Sequence, residues 1–189
     1  MSTMNSVTEY GEFDEKFQET FELFKRNIES DEEVGASFAV YKDGKPIIDL
    51  YGGFQDRDKK ISWNKDTLVN VHSTSKGIVA MVVAKLIDNG DLELDKRVCD
   101  YWPEFSENGK NDIRVKTLLS HQAGLYGWRE PLDETDFYKW DYVCELLAKQ
   151  KPFHEPNKEI CYHPKTIGFL VGELIKRITK KSVGKNLHE

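Results

Sequence analysis

Apolar residues near the start of the chain recur every three or four positions, with charged residues between them. These apolar positions are Phe13, Phe17, Phe21, Phe24 and Ile28. Their spacing predicts an amphipathic helix over residues 14–29 that buries its phenylalanines in a core. The same periodicity predicts helices over residues 136–149 and 166–179, a shorter helix over residues 115–120, and a last turn that begins at Ser182.

Two runs rich in β-branched and aromatic residues, at positions 36–41 and 46–51, predict a pair of strands. The connection between them contains Asp43 and Gly44, and Asp-Gly is a strong signal for a tight hairpin turn. A two-stranded hairpin alone is only marginally stable, so we expect further strands or a covering helix, which residues 14–29 supply in part. A helix and a hairpin followed mainly by helices predict an α+β fold.

The composition of the chain indicates a globular protein and argues against some classes of partner. The chain has 189 residues, of which 39% are hydrophobic and 32% charged, as is typical of a soluble globular protein. Its net charge is −6, and no basic block interleaved with aromatic residues occurs. These features argue against nucleic acid or an anionic membrane as a partner, and no apolar run is long enough to span a bilayer.

The cysteines and the N-terminus indicate the cellular setting. Cys99, Cys144 and Cys161 are widely spaced and form neither a metal-ligand pattern nor a disulfide framework, so we expect no metal or other cofactor. The first six residues contain no basic region and no apolar run, which predicts that an export signal is absent. Together these observations predict a reduced, cytoplasmic setting.

The candidate chemistry is a serine and a lysine three positions apart, directly before the apolar run of residues 77–87. A helix that begins near Ser73 would place Ser73 and Lys76 on one face, about one turn apart. The apolar run would partly desolvate Lys76, which lowers the pKa of its ammonium group and lets the neutral amine accept the serine proton. The sequence therefore predicts a serine nucleophile assisted by a lysine, on a helix capped by Gly90.

The Ser-x-x-Lys spacing is weak evidence by itself, because it also occurs at residues 62–65 and 182–185. The first of these copies lies in a polar stretch and the second in a charged one, and an apolar helix follows neither of them. An alternative also exists for the remaining copy, in which Ser73 and Ser75 cap the helix while Lys76 extends to water.

Further segments follow the serine in order, at residues 90–95, 115–125 and 162–175. The first reads Gly-Asp-Leu-Glu-Leu-Asp, the second ends in Leu-Leu-Ser-His-Gln-Ala-Gly-Leu, and the third opens on a tyrosine and continues as an apolar helix. With Ser-Thr-Ser-Lys at residues 73–76, they resemble the serine β-lactamase and penicillin-binding-protein superfamily, in its class C β-lactamase-related, esterase-like branch. The resemblance covers about residues 35–185 and implies a fold of the serine β-lactamase/transpeptidase type.

The resemblance also implies roles for individual residues. Ser73 would be the acylated nucleophile, Lys76 would share the general-base work, and Tyr162 would be the third catalytic group, able to activate the serine or the deacylating water. Without the resemblance, a tyrosine in front of a helix is more simply an amphipathic boundary residue. His121 is interpreted as structural, whereas His163 either lines the substrate site or is a surface side chain.

Two departures from the family pattern shape the functional prediction. Pro164 stands where many β-lactamases have the asparagine of a Tyr-Ser-Asn motif, which favours a simple ester or a small amide over a β-lactam. The family's third motif, Lys-Thr-Gly or His/Trp-x-Gly, has no match between Tyr162 and Glu189. The strand that carries this motif supplies one oxyanion-hole amide, and loss of one such donor costs about 10²–10³ in rate in another serine hydrolase.

The chain is therefore expected to correspond to the N-terminal half of a full family member. The first part, residues 12–71, would be the start of the sheet domain, and the second, residues 72–189, would be the nucleophile helix with a mostly helical region. The C-terminal strands of the family fold would be absent, which leaves strand edges of the sheet unpaired.

Two functional hypotheses follow. The first is a serine hydrolase of esterase or small-amidase type, which acts on a small-molecule ester or amide through an acyl-Ser73 intermediate. The second is an inactive truncated homologue, or half of a split enzyme that needs a complementing C-terminal chain or forms a homo-oligomer. A cell-wall carboxypeptidase is a third reading, which the expected absence of an export signal disfavours.

Overall fold

A computed structural model of the chain describes residues 6–188, and for residues 6–8 only the backbone. The prediction about an export signal falls mainly on residues 1–5, which lie outside the described residues, as does Glu189. The chain forms two compact units that divide between Asn70 and Val71, and the sequence placed this division between residues 71 and 72.

The first unit is built around an antiparallel sheet. Within residues 6–188 the sheet has four strands in the order β1-β2-β4-β3. Their bounds are β1 Ser6–Thr8, β2 Gly11–Phe13, β3 Gly35–Lys42 and β4 Lys45–Gly53. The hairpin prediction is confirmed, because β3 and β4 pair and the turn between them has positive φ at both Asp43 (51°) and Gly44 (73°). Such a turn matches the right-handed twist of the strands that it joins.

Strands β1 and β2 were not predicted, and they also change the start of the first helix. Phe13 belongs to β2, which pairs with β4, so the helical pattern begins later than residue 14. A single 3-10 turn, Glu15–Phe17, leads into helix α1, Gln18–Glu29. The predicted phenylalanine core forms nonetheless, because the rings of Phe21 and Phe13 stack with centroids 4.6 Å apart.

The second unit is mostly helical. Its helices are α2 Ser75–Asp88, α3 Val115–Leu119, α4 Trp140–Lys149, α5 Thr166–Thr179 and α6 Val183–Leu187. The predicted bounds of α5 are confirmed, and α3 is one residue shorter than predicted. The helix predicted over residues 136–149 is divided, because Lys139 (φ −95°, ψ 73°) separates the 3-10 turn Asp136–Tyr138 from α4.

Helix α5 lies at the centre of the second unit and is apolar along most of its length. Leu170, Leu174 and Ile175 are almost completely buried, and they contact a core that includes residues of α2, α3 and α4. Trp102 and Phe105, from the long connection between α2 and α3, complete this core. The α+β prediction is confirmed by the two units together. None of the helices in the described part of the chain is long and apolar enough to cross a membrane.

Helices α4 and α5 approach closely because α5 has a glycine at the contact. A Cβ atom added to Gly172 would lie 2.6 Å from the Trp140 ring, which is closer than real atoms approach. The ring cannot move away easily, since its Nε1 donates a hydrogen bond of 2.7 Å to Glu173 Oε2. The packing of α4 on α5 therefore requires glycine at this position.

We expect Gly172→Ala to destabilise the protein by about 1–3 kcal/mol, because the added methyl group overpacks the contact with Trp140. Gly168→Ala on the same helix is a matched control, since no atom lies within 4 Å of its added Cβ. This second change should stabilise the protein by about 0.4–1 kcal/mol through the reduced freedom of the unfolded chain. Urea unfolding of both variants checks the pair, and equal shifts of the same sign would contradict the packing argument.

Candidate active site

Ser73 lies where the chain enters helix α2. The 3-10 turn His72–Thr74 precedes the helix, so the serine sits two residues before the first residue of α2, Ser75. His72 has a φ of 45°, in the left-handed region that residues other than glycine rarely adopt. Such local strain persists only where the surrounding structure enforces it, and it is common at functional sites.

Lys76 lies in the first turn of α2 and connects the serine to a distant loop. Its Nζ donates hydrogen bonds to Ser73 Oγ, at 3.0 Å, and to the carbonyl oxygen of Pro164, at 2.9 Å. The contact between Ser73 and Lys76 that the spacing predicted is therefore present. The carbonyl of Pro164 fixes the direction of the ammonium group, a partner that the sequence could not indicate.

Tyr162 completes a group of three side chains. Its hydroxyl donates a hydrogen bond of 2.8 Å to Ser73 Oγ, although the two residues are 89 positions apart in the chain. Lys76 Nζ also lies 5.1 Å from the centroid of the Tyr162 ring. The structure thus brings together the three residues that the sequence proposed as catalytic, with Ser73 Oγ as the shared acceptor.

The phenol of Tyr162 is electrostatically perturbed. Hydrogen bonding to Ser73 and, next, to Lys76 lowers the pKa of Tyr162 below its ordinary value, and the charge of Lys76 adds to the effect. The side chain is 50% exposed, so burial opposes this shift only weakly. The phenolate is therefore easier to form than that of a free tyrosine, which suits a proton acceptor.

The structure places His163 elsewhere than the sequence predicted. Its side chain is 0% exposed, so it neither lines a substrate site nor lies on the surface. Its Nε2 accepts a 3.0 Å hydrogen bond from the amide of Leu125, and its Nδ1 lies 2.5 Å from the carbonyl oxygen of Cys161. Burial lowers the pKa of His163 to about 4, which keeps the ring neutral. These two main-chain contacts hold the ring in the interior, and the spacing of residues along the chain does not reveal them.

His121 is closer to the site than the sequence indicated. Its ring meets the Tyr162 ring edge-to-face, with centroids 5.0 Å apart, and its Nδ1 accepts a 3.2 Å hydrogen bond from the amide of His163. Burial and the charge of Lys76 lower the pKa of His121. The matching segment over residues 115–125 flagged this histidine, but nothing in its spacing showed that it contacts Tyr162.

The other two Ser-x-x-Lys copies have structural contacts. Ser182 accepts a hydrogen bond from the amide of Lys185 and caps helix α6. Lys65 forms an ion pair of 3.4 Å with Asp49. The alternative in which the Ser73 copy is only a helix cap receives no support, since Ser73 makes no side-chain capping contact with α2 among the described hydrogen bonds.

A small apolar cavity of about 110 Å³ opens beside Lys76 and His121. Its other lining residues come from α2, from α5 and from the end of α3, and they are Val79, Ala80, Val83, Leu119, Ile167, Gly168 and Val171. The cavity gives this side of the site an apolar surface next to two polar groups.

Several known proteins are similar to this chain in sequence and in fold. The model of the Beta-lactamase family matches residues 22–189. The chain is 35% identical over 149 residues to the esterase/beta-lactamase LipL of Mycobacterium tuberculosis, a match that covers 79% of this chain and 34% of LipL.

Two solved structures resemble the chain closely. A family VIII carboxylesterase matches with a TM-score of 0.87 and 43% identity, over 92% of this chain and 48% of the carboxylesterase. A penicillin-binding protein homologue from Caulobacter crescentus matches with a TM-score of 0.91 and 36% identity, over 98% of this chain and 49% of the homologue. The chain thus spans about a third of LipL and about half of each of these two proteins.

The family model covers most of the chain, including Ser73, Lys76 and Tyr162, and the three relatives are all at least 35% identical to it. The chain therefore belongs to the Beta-lactamase family.

Proposed function

We propose that this chain carries the nucleophile side of an ester-hydrolysing or small-amide-hydrolysing enzyme that forms an acyl-Ser73 intermediate. The observation that carries the proposal is the pair of hydrogen bonds that Ser73 Oγ receives from Lys76 Nζ and Tyr162 hydroxyl. A nucleophile, a polarising cation and a titratable partner within hydrogen-bond reach of one oxygen are the parts that covalent catalysis by serine needs.

In the acylation step, Tyr162 acts as a phenolate that has lost its proton to solvent, and it takes the proton of Ser73 as Oγ bonds to the acyl carbon of the substrate. The π bond of the carbonyl group breaks at the same time, and its electron pair moves to the carbonyl oxygen. The Lys76 ammonium group stabilises the negative charge, first on the phenolate and then on Oγ as the proton leaves it, before the charge passes to the carbonyl oxygen of the tetrahedral adduct. The tetrahedral adduct then collapses, its bond to the leaving oxygen breaks, and the proton on Tyr162 passes to the departing alcohol.

In the deacylation step, the regenerated phenolate takes a proton from water while the water oxygen bonds to the acyl carbon. The bond to Ser73 Oγ breaks, the carboxylic acid leaves, and the proton on Tyr162 returns to Ser73. One residue thus serves as base and then acid in each half of the cycle, and its lowered pKa helps both transfers at near-neutral pH.

Three observations support a simple ester as the substrate class. Pro164 offers no side-chain amide to hold a lactam carbonyl, and its own carbonyl already binds Lys76. The cavity beside Lys76 is apolar and of a size that suits a short acyl or alkyl group. The family VIII carboxylesterase is named for ester hydrolysis, and LipL is named both as an esterase and as a beta-lactamase.

The exposed face of helix α2 favours a second proposal, which concerns a partner. Ile78 is 43% exposed and Met81 is 65% exposed, on the same helix whose first turn carries Lys76. The chain covers about half of the two structural relatives, so polypeptide equivalent to their remaining half would have this apolar face to pack against. We propose that full activity needs that second half, whether it belongs to the same polypeptide or to a complementing chain.

We expect the purified protein to hydrolyse p-nitrophenyl butyrate with a burst of p-nitrophenol equal to the acylated serine. Ser73→Ala should lower the turnover by more than about 1,000-fold, because no other group replaces the nucleophile. Ser62→Ala is the matched control, since Ser62 has the same spacing to a lysine but belongs to the first unit, where it forms a bridge with Phe54, and this change should leave the rate unchanged. Turnover that survives Ser73→Ala would rule out the proposed nucleophile.

We expect Lys76→Met to raise the pKa of Tyr162 toward its ordinary value of about 10, because the change removes both a hydrogen bond and a positive charge from the phenol. Tyrosine labelled with ¹³C at the phenolic carbon, with the Tyr162 signal identified by Tyr162→Phe, measures this titration by NMR. Lys165→Met is the control, because Lys165 Nζ lies over Phe137 instead. An unchanged Tyr162 titration in Lys76→Met would contradict the proposed electrostatic role of the lysine.

We expect the half of the family VIII carboxylesterase that this chain does not match, produced separately, to raise the ester turnover of this chain by about 10-fold or more, since it would supply a missing oxyanion donor. Met81→Glu should abolish the increase and Met81→Leu should retain it, with melting temperatures that stay close to that of the unaltered protein because position 81 is exposed. Equal and measurable turnover with and without the added half would contradict the partner proposal.

A further inference from the structure

Tyr162 lies on an irregular segment before helix α5, where no helix or strand fixes its position. Contacts with other residues must therefore keep its hydroxyl within hydrogen-bond distance of Ser73 Oγ. One residue, His121, contacts the main chain on both sides of it. The carbonyl oxygen of His121 accepts a 3.1 Å hydrogen bond from the amide of Cys161. Its Nδ1 accepts a 3.2 Å hydrogen bond from the amide of His163.

The imidazole ring of His121 also contacts the tyrosine itself. The two rings are 5.0 Å apart and inclined at 62°, an edge-to-face arrangement. Such aromatic pairs add to the stability that burial alone provides. Three consecutive residues, 161 to 163, are therefore held by different parts of a single residue.

His121 itself is firmly placed. Its amide donates a 3.2 Å hydrogen bond to the carbonyl oxygen of Leu118, in the last turn of α3. Its φ is 62°, a left-handed conformation that turns the chain back after the helix. His163 supports the same arrangement from the other side, because its Nε2 accepts from the amide of Leu125, four residues after His121.

We propose that His121 is a positioning residue for the reaction proposed above: it holds the segment around Tyr162 so that the phenolic oxygen stays on Ser73 Oγ. The proposal rests on the proposed function only for its effect on rate, and its structural part stands without it. His121 does not touch the reacting oxygen and is therefore not a catalytic residue.

The hydrogen bond at Nδ1 determines which tautomer of the His121 imidazole holds the segment around Tyr162. Nδ1 accepts from the amide of His163, so it carries no proton, and the neutral ring has its proton on Nε2. Burial and the nearby Lys76 charge lower the pKa of His121 and so favour this neutral form. Lys76, Tyr162 and His163 are the titratable groups that face the ring, from α2 and from the segment before α5.

Two substitutions at position 121 test the hydrogen-bond acceptor without disturbing the left-handed backbone conformation. Glycine and asparagine both tolerate a positive φ, so neither His121→Gly nor His121→Asn strains the turn. Asparagine places Oδ1 as many bonds from the main chain as Nδ1 of histidine, so it keeps an acceptor for the amide of His163. Glycine removes both the acceptor and the ring.

The first readout is the pKa of Tyr162, measured by ¹³C-tyrosine NMR, which does not depend on activity. In His121→Gly the Tyr162 signal should titrate closer to the ordinary value of about 10, because its contact with Ser73 and Lys76 is lost part of the time. In His121→Asn it should titrate near its original pKa. A titration in His121→Gly that matches the unaltered protein, with the variant folded by circular dichroism, would overturn the proposal.

The second readout is ester hydrolysis. His121→Gly should lower kcat about 10-fold or more with KM little changed, since misplacement of the base by about 1 Å affects the chemical step more than binding. His121→Asn should recover most of the lost kcat. A loss that Asn does not recover, together with an unshifted Tyr162 signal, would assign His121 a purely structural role. If the unaltered protein has no esterase activity either alone or with the added carboxylesterase half, the proposed function fails, and the NMR titration still decides the positioning role.

Discussion

The site depends on two hydrogen bonds that meet at Ser73 Oγ. One comes from Lys76, three residues along the same helix entry, and the other from Tyr162, 89 residues later. The local contact is available to any helix with this spacing. The distant contact exists only if the second unit folds correctly, because it joins the start of α2 to the segment that leads into α5. The carbonyl of Pro164, which binds Lys76, connects the same two elements a second time.

The core of the second unit explains how these elements are held. Helix α5 is buried along most of its length, and it contacts the inward side of α2 through the core that contains Val83 and Val171. An adjoining side of α2 is apolar and exposed at Ile78 and Met81. A helix that is apolar on two sides is suited to lie between two layers of structure. The same helix therefore presents the nucleophile and offers a surface for further polypeptide.

Long elements could be predicted from the sequence because their periodicity is strong. The bounds of α5 are an example. The turn at Asp43 and Gly44 could be predicted for another reason, because Asp-Gly is itself a strong turn signal. The grouping of Ser73, Lys76 and Tyr162 in space agrees with the ordered segments of the family resemblance. Strands β1 and β2 could not be predicted, since three residues carry no usable alternation.

The two histidines differ in outcome. The structural interpretation of His121 agrees with the hydrogen bonds that its amide, its carbonyl and its Nδ1 make. His163, in contrast, is buried by main-chain contacts that the sequence did not indicate. The contact between Lys76 and the carbonyl of Pro164 could not be predicted either, because every residue has a main-chain carbonyl and the residue type does not show which one will be used. Sequence patterns report which side chains are available, whereas main-chain partners depend on how distant loops meet.

The central claim is that Ser73 is an activated nucleophile because of the contacts that Lys76 and Tyr162 make with it. Reaction of the folded protein with a fluorophosphonate, followed by peptide mapping with tandem mass spectrometry, tests this most directly, since the protein contains other serines with the same spacing to a lysine. The account predicts one adduct, on Ser73, that is lost when the protein is unfolded before labelling. No adduct on Ser73 in folded protein, or equal labelling of Ser62 and Ser182, would contradict it.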